Sequence, residues 1–180
     1  SSSIYGNVTQ IPITEEFKRK PINPYGQTKL DDEILAEKFE ELSVIGLRYF
    51  NIYGIDQNIS YAGVITNFLE KIKSKKPLII NGNGNQVRDF IHVKDIAKAN
   101  VAAMESSIRK SFLNVGTGIS TSINDLAEMM VNLSNSECKI EHGPELEGDI
   151  EVSLASTEFT KKTINWNYEI ELKEGLLDLI

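Results

Sequence analysis

Short apolar runs alternate with helical stretches along this chain, and that alternation limits the possible folds more than any other feature of the sequence. Ser43 to Ile52 reads SVIGLRYFNI, an apolar and aromatic run bounded by turn formers, the pattern of a strand covered on both faces. A helix from about Pro24 to Leu42 precedes it, with Asn23 as N-cap, Pro24 at the first helical position and Leu30, Ile34, Leu35 and Phe39 spaced as an apolar stripe. Val64 to Lys73 reads as a second amphipathic helix and Pro77 to Ile80 as a short strand. Asn81-Gly82-Asn83-Gly84 is a turn of residues that tolerate positive φ. Strand, helix and strand follow at Asp89 to Val93, Lys94 to Met104 and Phe112 to Val115. Ser122 and Asp125 have the spacing of a capping box ahead of Leu126, Met129, Met130 and Leu133. A weaker strand at Cys138 to His142 and short helical patterns at Thr157 to Ile164 and Lys173 to Ile180 close the chain. This order predicts an α/β fold with a mostly parallel sheet.

Composition narrows the function classes. The chain has 180 residues, 19 Lys+Arg and 26 Asp+Glu, a formal charge of -7. Phosphate neutralisation needs a clustered basic face, and the dense basic run Lys71, Lys73, Lys75 and Lys76 ends a helix, where cations suit the dipole; no nucleic-acid surface is expected. No run approaches the roughly 18 apolar residues of a membrane span and no leader pattern opens the chain, so the expected location is cytoplasmic. One cysteine, Cys138, and two separated histidines, His92 and His142, are too few for a disulfide framework or a zinc site. The opening Ser1-Ser2-Ser3, without methionine, suggests processing or a start inside a longer protein.

The chemistry-bearing feature is Tyr25-Gly26-Gln27-Thr28-Lys29 on the first turns of the first helix. Residues four apart share a helical face, so the ammonium can sit near the phenol and favour its ionised form. A free phenol, with a pKa of about 10, is a poor base at neutral pH, and a fixed neighbouring cation is one way to bring it toward the working range. By itself the spacing is equally that of an exposed pair on a helix.

Five stretches in order change that balance: Ser1-Ser2-Ser3-Ile4-Tyr5-Gly6, Tyr25-x-x-x-Lys29, Leu47-Arg48-Tyr49-Phe50-Asn51-Ile52-Tyr53-Gly54, Gly82-Asn83-Gly84-x-Gln86-x-Arg88-Asp89-Phe90 and Asn114-Val115-Gly116-Thr117-Gly118. Together they resemble the extended short-chain dehydrogenase/reductases, specifically the NAD-dependent nucleotide-sugar epimerase/dehydratase family, over nearly all of the chain. The resemblance implies the second half of a Rossmann-type parallel sheet plus a smaller C-terminal α/β substrate-binding domain. Residues 1–52 and about 88–106 would form a partial NAD-binding unit, and about 53–87 and 107–180 the substrate unit.

The resemblance also implies roles. Ser1 would hydrogen-bond the substrate C4 oxygen with Ser3 beside it, Tyr25 would be the acid/base, and Lys29 would hold the nicotinamide ribose and lower the Tyr25 pKa. Phe50 would flank the nicotinamide, although a buried strand residue is equally core. Asn51 would hydrogen-bond the diphosphate side of the sugar nucleotide and Arg88 its diphosphate or ribose, an arginine fork being suited to phosphate; a salt bridge from Arg88 to Asp89 or another acid is the structural alternative. Leu78 to Asn81 would line the nucleobase pocket, and Ser153 matches a position where a small residue tends to admit N-acetylated sugars. The implied activity is C4 epimerisation of a nucleotide sugar, a UDP-sugar first, through a 4-keto intermediate. Ser2-Ser3 stands where related dehydratases carry Asp-Glu, which disfavours water loss. A reductase or dehydrogenase, or a non-catalytic sugar-nucleotide-binding or assembly module, is the rival.

Two departures stand out. Leu146 occupies the place of a phosphate-gripping arginine, and no Gly-x-x-Gly-x-x-Gly loop occurs anywhere in the chain. A dinucleotide diphosphate at a helix N-terminus needs that loop. The expectation is therefore the C-terminal part of such an enzyme, inactive by itself. The helix from Pro24 commonly joins a two-fold interface in this family, so a homodimer is expected.

Overall fold

The computed structural model describes residues 1–57 and 63–180. In chain order its elements are a 3-10 helix at Ser2–Tyr5, α1 (Pro24–Lys38), β1 (Val44–Tyr49), β2 (Asn51–Tyr53), α2 (Val64–Lys73), β3 (Leu78–Asn81), β4 (Val87–Arg88), β5 (Phe90–His92), α3 (Val93–Glu105), β6 (Lys110–Val115), β7 (Thr121–Ser122), α4 (Ile123–Leu133), β8 (Ile140–Gly143), α5 (Glu158–Ile164) and α6 (Leu172–Leu177). The α/β class and the parallel pairing agree with the expectation: β1 with β6, β2 with β5 and β3 with β8 are parallel, and among the described strands the short pair β4 with β7 is antiparallel.

The run from Ser43 to Ile52, expected as one strand, is two. β1 runs in register with β6 from Val44 opposite Lys110 to Tyr49 opposite Val115. At Phe50 the chain changes partner. The Phe50 N–H still donates to the Val115 carbonyl at 3.0 Å, but the Asn51 N–H donates to the Asp89 carbonyl at 2.9 Å, which starts the pairing of β2 with β5. This places Asn51 at the carboxyl end of β1, beside the loop that follows β6. In open parallel sheets that is the end where ligands bind.

Cap chemistry explains the helix starts. The Asn23 side chain accepts the Gly26 N–H at 2.8 Å, and the Ser122 Oγ accepts the Asp125 N–H at 3.0 Å, each satisfying a donor the first turn leaves free. α1 ends at Lys38, short of the expected Leu42, because Phe39 and Leu42 turn the chain into β1.

Three groups of buried side chains hold the elements. α2, β3, α4 and α6 surround Phe68, Leu78, Ile80, Leu126, Met130 and Leu176. Each such side chain contributes about 1.5–3 kcal/mol when fully buried. The β1 and β6 layer encloses Ile91, Ile96, Leu113, Val115 and Trp166, and a smaller group joins Ile4, Tyr5, Ile13, Phe50 and Ala155. β6 pairs with β1 along its whole length, so residues 110–115 pack directly against residues 44–49, two stretches that the expected division puts in different units. The pairing is a long-range contact with no local signal in the sequence.

Candidate functional site

Tyr25 and Lys29 lie on the first turns of α1, on the rim of the molecule. Tyr25 is 57% exposed, and the Lys29 ammonium lies 5.9 Å from the centre of its ring. That ammonium is also hydrogen-bonded to Asp32 at 2.9 Å, and Asp32 raises its pKa. Both partners are well exposed, so the pair is weak and leaves Lys29 free to exchange it for another oxygen ligand. The expected closeness of cation and aromatic ring is present, with Asp32 as a competitor that the four-residue spacing did not reveal.

The serine segment packs directly on this turn. A Cβ added to Gly26 would lie 2.6 Å from the Ser3 carbonyl oxygen, a distance real Cβ atoms do not tolerate, so only glycine lets α1 approach so closely. Ser1 caps the 3-10 helix: its Oγ accepts the Ser3 N–H at 3.3 Å and lies 3.2 Å from the Ser3 Oγ. Ser1, Ser3, Tyr25 and Lys29 are thus carried on two elements in van der Waals contact.

A second group lines a cavity of about 290 Å³ between β2, β3, β4 and the loop before Ile150. Asn51, Asn81, Gln86, Arg88, Leu146 and Asp149 border it. The Arg88 Nη2 donates to the Asp149 Oδ1 at 2.6 Å and its Nη1 to its neighbour, the Val87 carbonyl, at 2.9 Å. Burial pushes the Arg88 pKa down, against the pull of Asp149. Gln86 Nε2 donates to the Asn81 carbonyl at 2.8 Å and to the Asp149 Oδ2 at 3.3 Å. Ser153 is buried beside this group: its N–H donates to the Val87 carbonyl at 3.0 Å, one residue from Arg88.

Two expected site residues sit elsewhere than a ligand surface. Leu78 is fully buried in the core, because strand side chains alternate and β3 turns Leu78 and Ile80 inward, Ile79 and Asn81 outward. Ile79, 43% exposed, borders the cavity in its place. Phe50 is 5% exposed and clusters with Ile4 and Tyr5 of the serine segment, linking that segment to the strand that carries Asn51.

Asp89, the expected alternative partner of Arg88, faces the other way. Its carboxylate accepts four hydrogen bonds: the Thr117 N–H at 2.8 Å, the Thr117 hydroxyl at 2.7 Å, the Gly118 N–H at 2.9 Å and the Ala155 N–H at 3.1 Å. Burial raises its pKa while these donors oppose the rise. Gly116 belongs to the same knot, since a Cβ there would meet the Asp89 Oδ2 at 2.6 Å. Asp89 therefore ties the loop after β6 and the Ala155 segment to the start of β5, and so fixes the backbone from which Arg88 projects. The adjacent Arg-Asp pair is the available signal, but it suggests a mutual bridge; strand alternation sends the two side chains to opposite faces.

The residues implied for NAD fit one end of a dinucleotide. Tyr25 and Lys29 are accessible on an exposed helix turn, whereas no strand-to-helix glycine loop occurs in the sequence to hold a diphosphate. Among the described residues no helix is long and apolar enough to cross a membrane.

The family model described as NAD dependent epimerase/dehydratase matches residues 1–116. UDP-glucose 4-epimerase 4 of Oryza sativa is 33% identical over 202 aligned residues, covering 99% of this chain and 54% of the rice protein. The UDP-N-acetylglucosamine 4-epimerase of Methanobrevibacter ruminantium, solved with UDP-N-acetylmuramic acid, superposes with a TM-score of 0.93 at 34% identity, covering 99% of this chain and 59% of that one. The UDP-glucuronic acid 4-epimerase of Bacillus cereus, solved with UDP-glucuronic acid and NAD, gives 0.90 at 28% identity, covering 98% and 57%. The chain thus spans about half the length of the curated relatives it matches.

Proposed function

Because the chain belongs to the NAD dependent epimerase/dehydratase family, we propose that the full-length protein inverts C4 of a UDP-sugar through a 4-keto intermediate. The observation that supports this reading is the contact of the serine segment with the first turn of α1 through Gly26, which brings the segment carrying Ser1 and Ser3 against the turn carrying Tyr25 and Lys29. Bound NAD would supply the acceptor, and then the donor, of the C4 hydride. Tyr25 removes the proton of the C4 hydroxyl as the ketone forms, and gives it back when the ketone is reduced on its opposite face. Ser1 holds the C4 oxygen in both directions, with Ser3 beside it. Lys29, whose ammonium lies beside the Tyr25 ring, binds the nicotinamide ribose. Phe50 backs the serine segment from within the buried group it shares with Ile4 and Tyr5.

Arg88 and Asn51 receive the diphosphate, Asn81 and Ile79 flank the nucleobase, and the small Ser153 leaves room for an N-acetyl group. The UDP-sugars bound by relatives support this assignment, as does the convergence of Asn51, Asn81 and Arg88 on one cavity. Residues 1–52 and about 88–116 then form the cofactor-side unit, and the layer of α2, β3, α4 and β8 the substrate side. We place the protein in the cytoplasm on its acidic composition and lone cysteine.

The test is direct. The full-length protein with NAD⁺ is expected to interconvert UDP-glucose and UDP-galactose, or their N-acetyl forms, with no net NADH. Accumulation of NADH would mark a dehydrogenase instead, and absence of any turnover or UDP-sugar binding would remove the reading.

The same reading extends to assembly. α1 leaves Ile34 38% and Leu35 55% exposed, and Phe39 just beyond it 50%, an apolar stripe that suits a two-fold contact. The full-length protein is expected to sediment as a dimer at micromolar concentration, and Leu35→Glu to sediment at half that mass with unchanged far-UV circular dichroism. An unchanged mass would exclude α1 as the interface.

A further inference from the structure

Of the 15 residues of α1 only Gly26 and Glu33 are buried. Tyr25, Lys29 and Glu33 follow at four-residue spacing, so Glu33 extends the helix face that begins with Tyr25. Its carboxylate is held by a fork: the Arg48 Nε donates to Oε1 at 2.9 Å and the Arg48 Nη2 to Oε2 at 2.8 Å, while the partly exposed Arg19 Nη1 adds a bond to Oε2 at 3.1 Å. The remaining end of the guanidinium, Nη1, donates to the Tyr5 hydroxyl at 2.7 Å and to the Glu15 carbonyl at 3.0 Å. Tyr5 closes the 3-10 helix that Ser1 caps, and its own hydroxyl donates to the Asn114 Oδ1 at 2.7 Å on β6. Arg48 lies over the rings of Tyr5 and Phe112, its carbon centre 5.2 and 5.5 Å from their centroids, with its side chain only 4% exposed.

One buried cation on β1 therefore grips, with opposite ends, the two elements that carry the reactive hydroxyls: α1 through Glu33 and the serine segment through Tyr5. We infer that Arg48 is a positioning residue that sets the distance of the Ser1 and Ser3 hydroxyls from the Tyr25 phenol. The desolvation of a buried ion pair largely offsets its attraction, so stability alone is a poor reason for this arrangement. A planar fork that meets two partners at fixed angles does define geometry, and an ammonium in its place would not. The inference rests on the catalytic reading of Ser1 and Tyr25 given above.

The test uses the full-length protein with NAD⁺ and UDP-glucose and three variants: Arg48→Lys, Glu33→Gln and Tyr5→Phe. Misplacement of reacting groups by an ångström costs about 100-fold. Each variant is accordingly expected to lower kcat by about 10- to 100-fold with KM for UDP-glucose within about twofold of the parent. The double variant Tyr5→Phe/Glu33→Gln is expected to fall no further than Arg48→Lys, because all three changes release one clamp. A drop in melting temperature with kcat per folded enzyme unchanged, or a rise in KM alone, would overturn the inference.

Amide hydrogen exchange gives a second measurement that needs no turnover. Arg48→Lys is expected to speed exchange in both the first turn of α1 and the Ser2–Tyr5 segment, Glu33→Gln chiefly in α1, and Tyr5→Phe chiefly in the serine segment. Uniform acceleration across all three variants, or none, would remove the clamp. Tyr25→Phe in the same assay separates the catalytic role of Tyr25 from the positioning role of Arg48. If it still turns over, the catalytic reading fails and exchange alone decides the clamp; if it is inactive while the three variants run normally, only the clamp fails.

Discussion

Tyr25→Phe in the full-length protein is expected to lower kcat for the interconversion of UDP-glucose and UDP-galactose by about 10²- to 10⁴-fold, the range a positioned general acid/base supplies. The melting temperature should stay where it is. Tyr25 is 57% exposed and its hydroxyl has no hydrogen-bond partner among the described residues, so deleting that oxygen removes no hydrogen bond to them. Its ring, which the Lys29 ammonium approaches at 5.9 Å, is retained in phenylalanine. The two measurements together are decisive: a kinetic loss at constant stability identifies a chemical role, and unchanged turnover would end the proposed mechanism. KM for the UDP-sugar should change little, because the diphosphate and nucleobase contacts assigned to Arg88, Asn51 and Asn81 lie on other elements.

Asp89→Ala is expected to have the opposite signature, a large loss of stability. Four donors converge on this carboxylate, three of them backbone N–H groups, and the residue is fully buried. Removing the acceptor leaves those donors unpaired away from water, and each such group costs about 1–3 kcal/mol before relaxation. A net loss of about 3–5 kcal/mol, the scale for breaking a buried charged network, is expected in urea unfolding of the full-length protein. The carboxylate cannot be replaced by its amide without conflict, since the new NH₂ group would face the Gly118 or Thr117 donors; Asp89→Asn should recover only part of the loss. A change below about 1 kcal/mol for Asp89→Ala would show that the loop after β6 is held by other contacts.

Much of this architecture is legible locally. The helix Val64–Lys73 and the Ser122 cap occur where periodicity and capping chemistry place them, because both are set by residues within a few positions of each other. The break at Phe50 is not legible. SVIGLRYFNI carries no turn signal between Tyr49 and Asn51, and what divides it is a change of partner from β6 to β5, both far downstream in the chain. Leu78 differs from expectation for another reason: the segment is matched by resemblance, and the two-residue alternation that decides its inward face depends on which side of β3 the core occupies. Arg48 does carry a signal, a charge within a strand expected to be covered on both faces, which requires a buried partner. The sequence does not say that the partner is Glu33, on a helix whose other acids face water.

By itself, the sequence determined the α/β class, the order of elements and the motif constellation that marks the family, since these rest on short-range periodicity, caps and local spacing. It also settled the absence of a glycine-rich dinucleotide loop in these 180 residues. Only the tertiary structure decided which charges meet: Arg88 with Asp149, Arg48 with Glu33 and Tyr5, and Asp89 with the backbone after β6. Buried polar groups must find partners, but the partner is chosen by how strands pair and helices dock, and those choices are made between residues far apart in the chain.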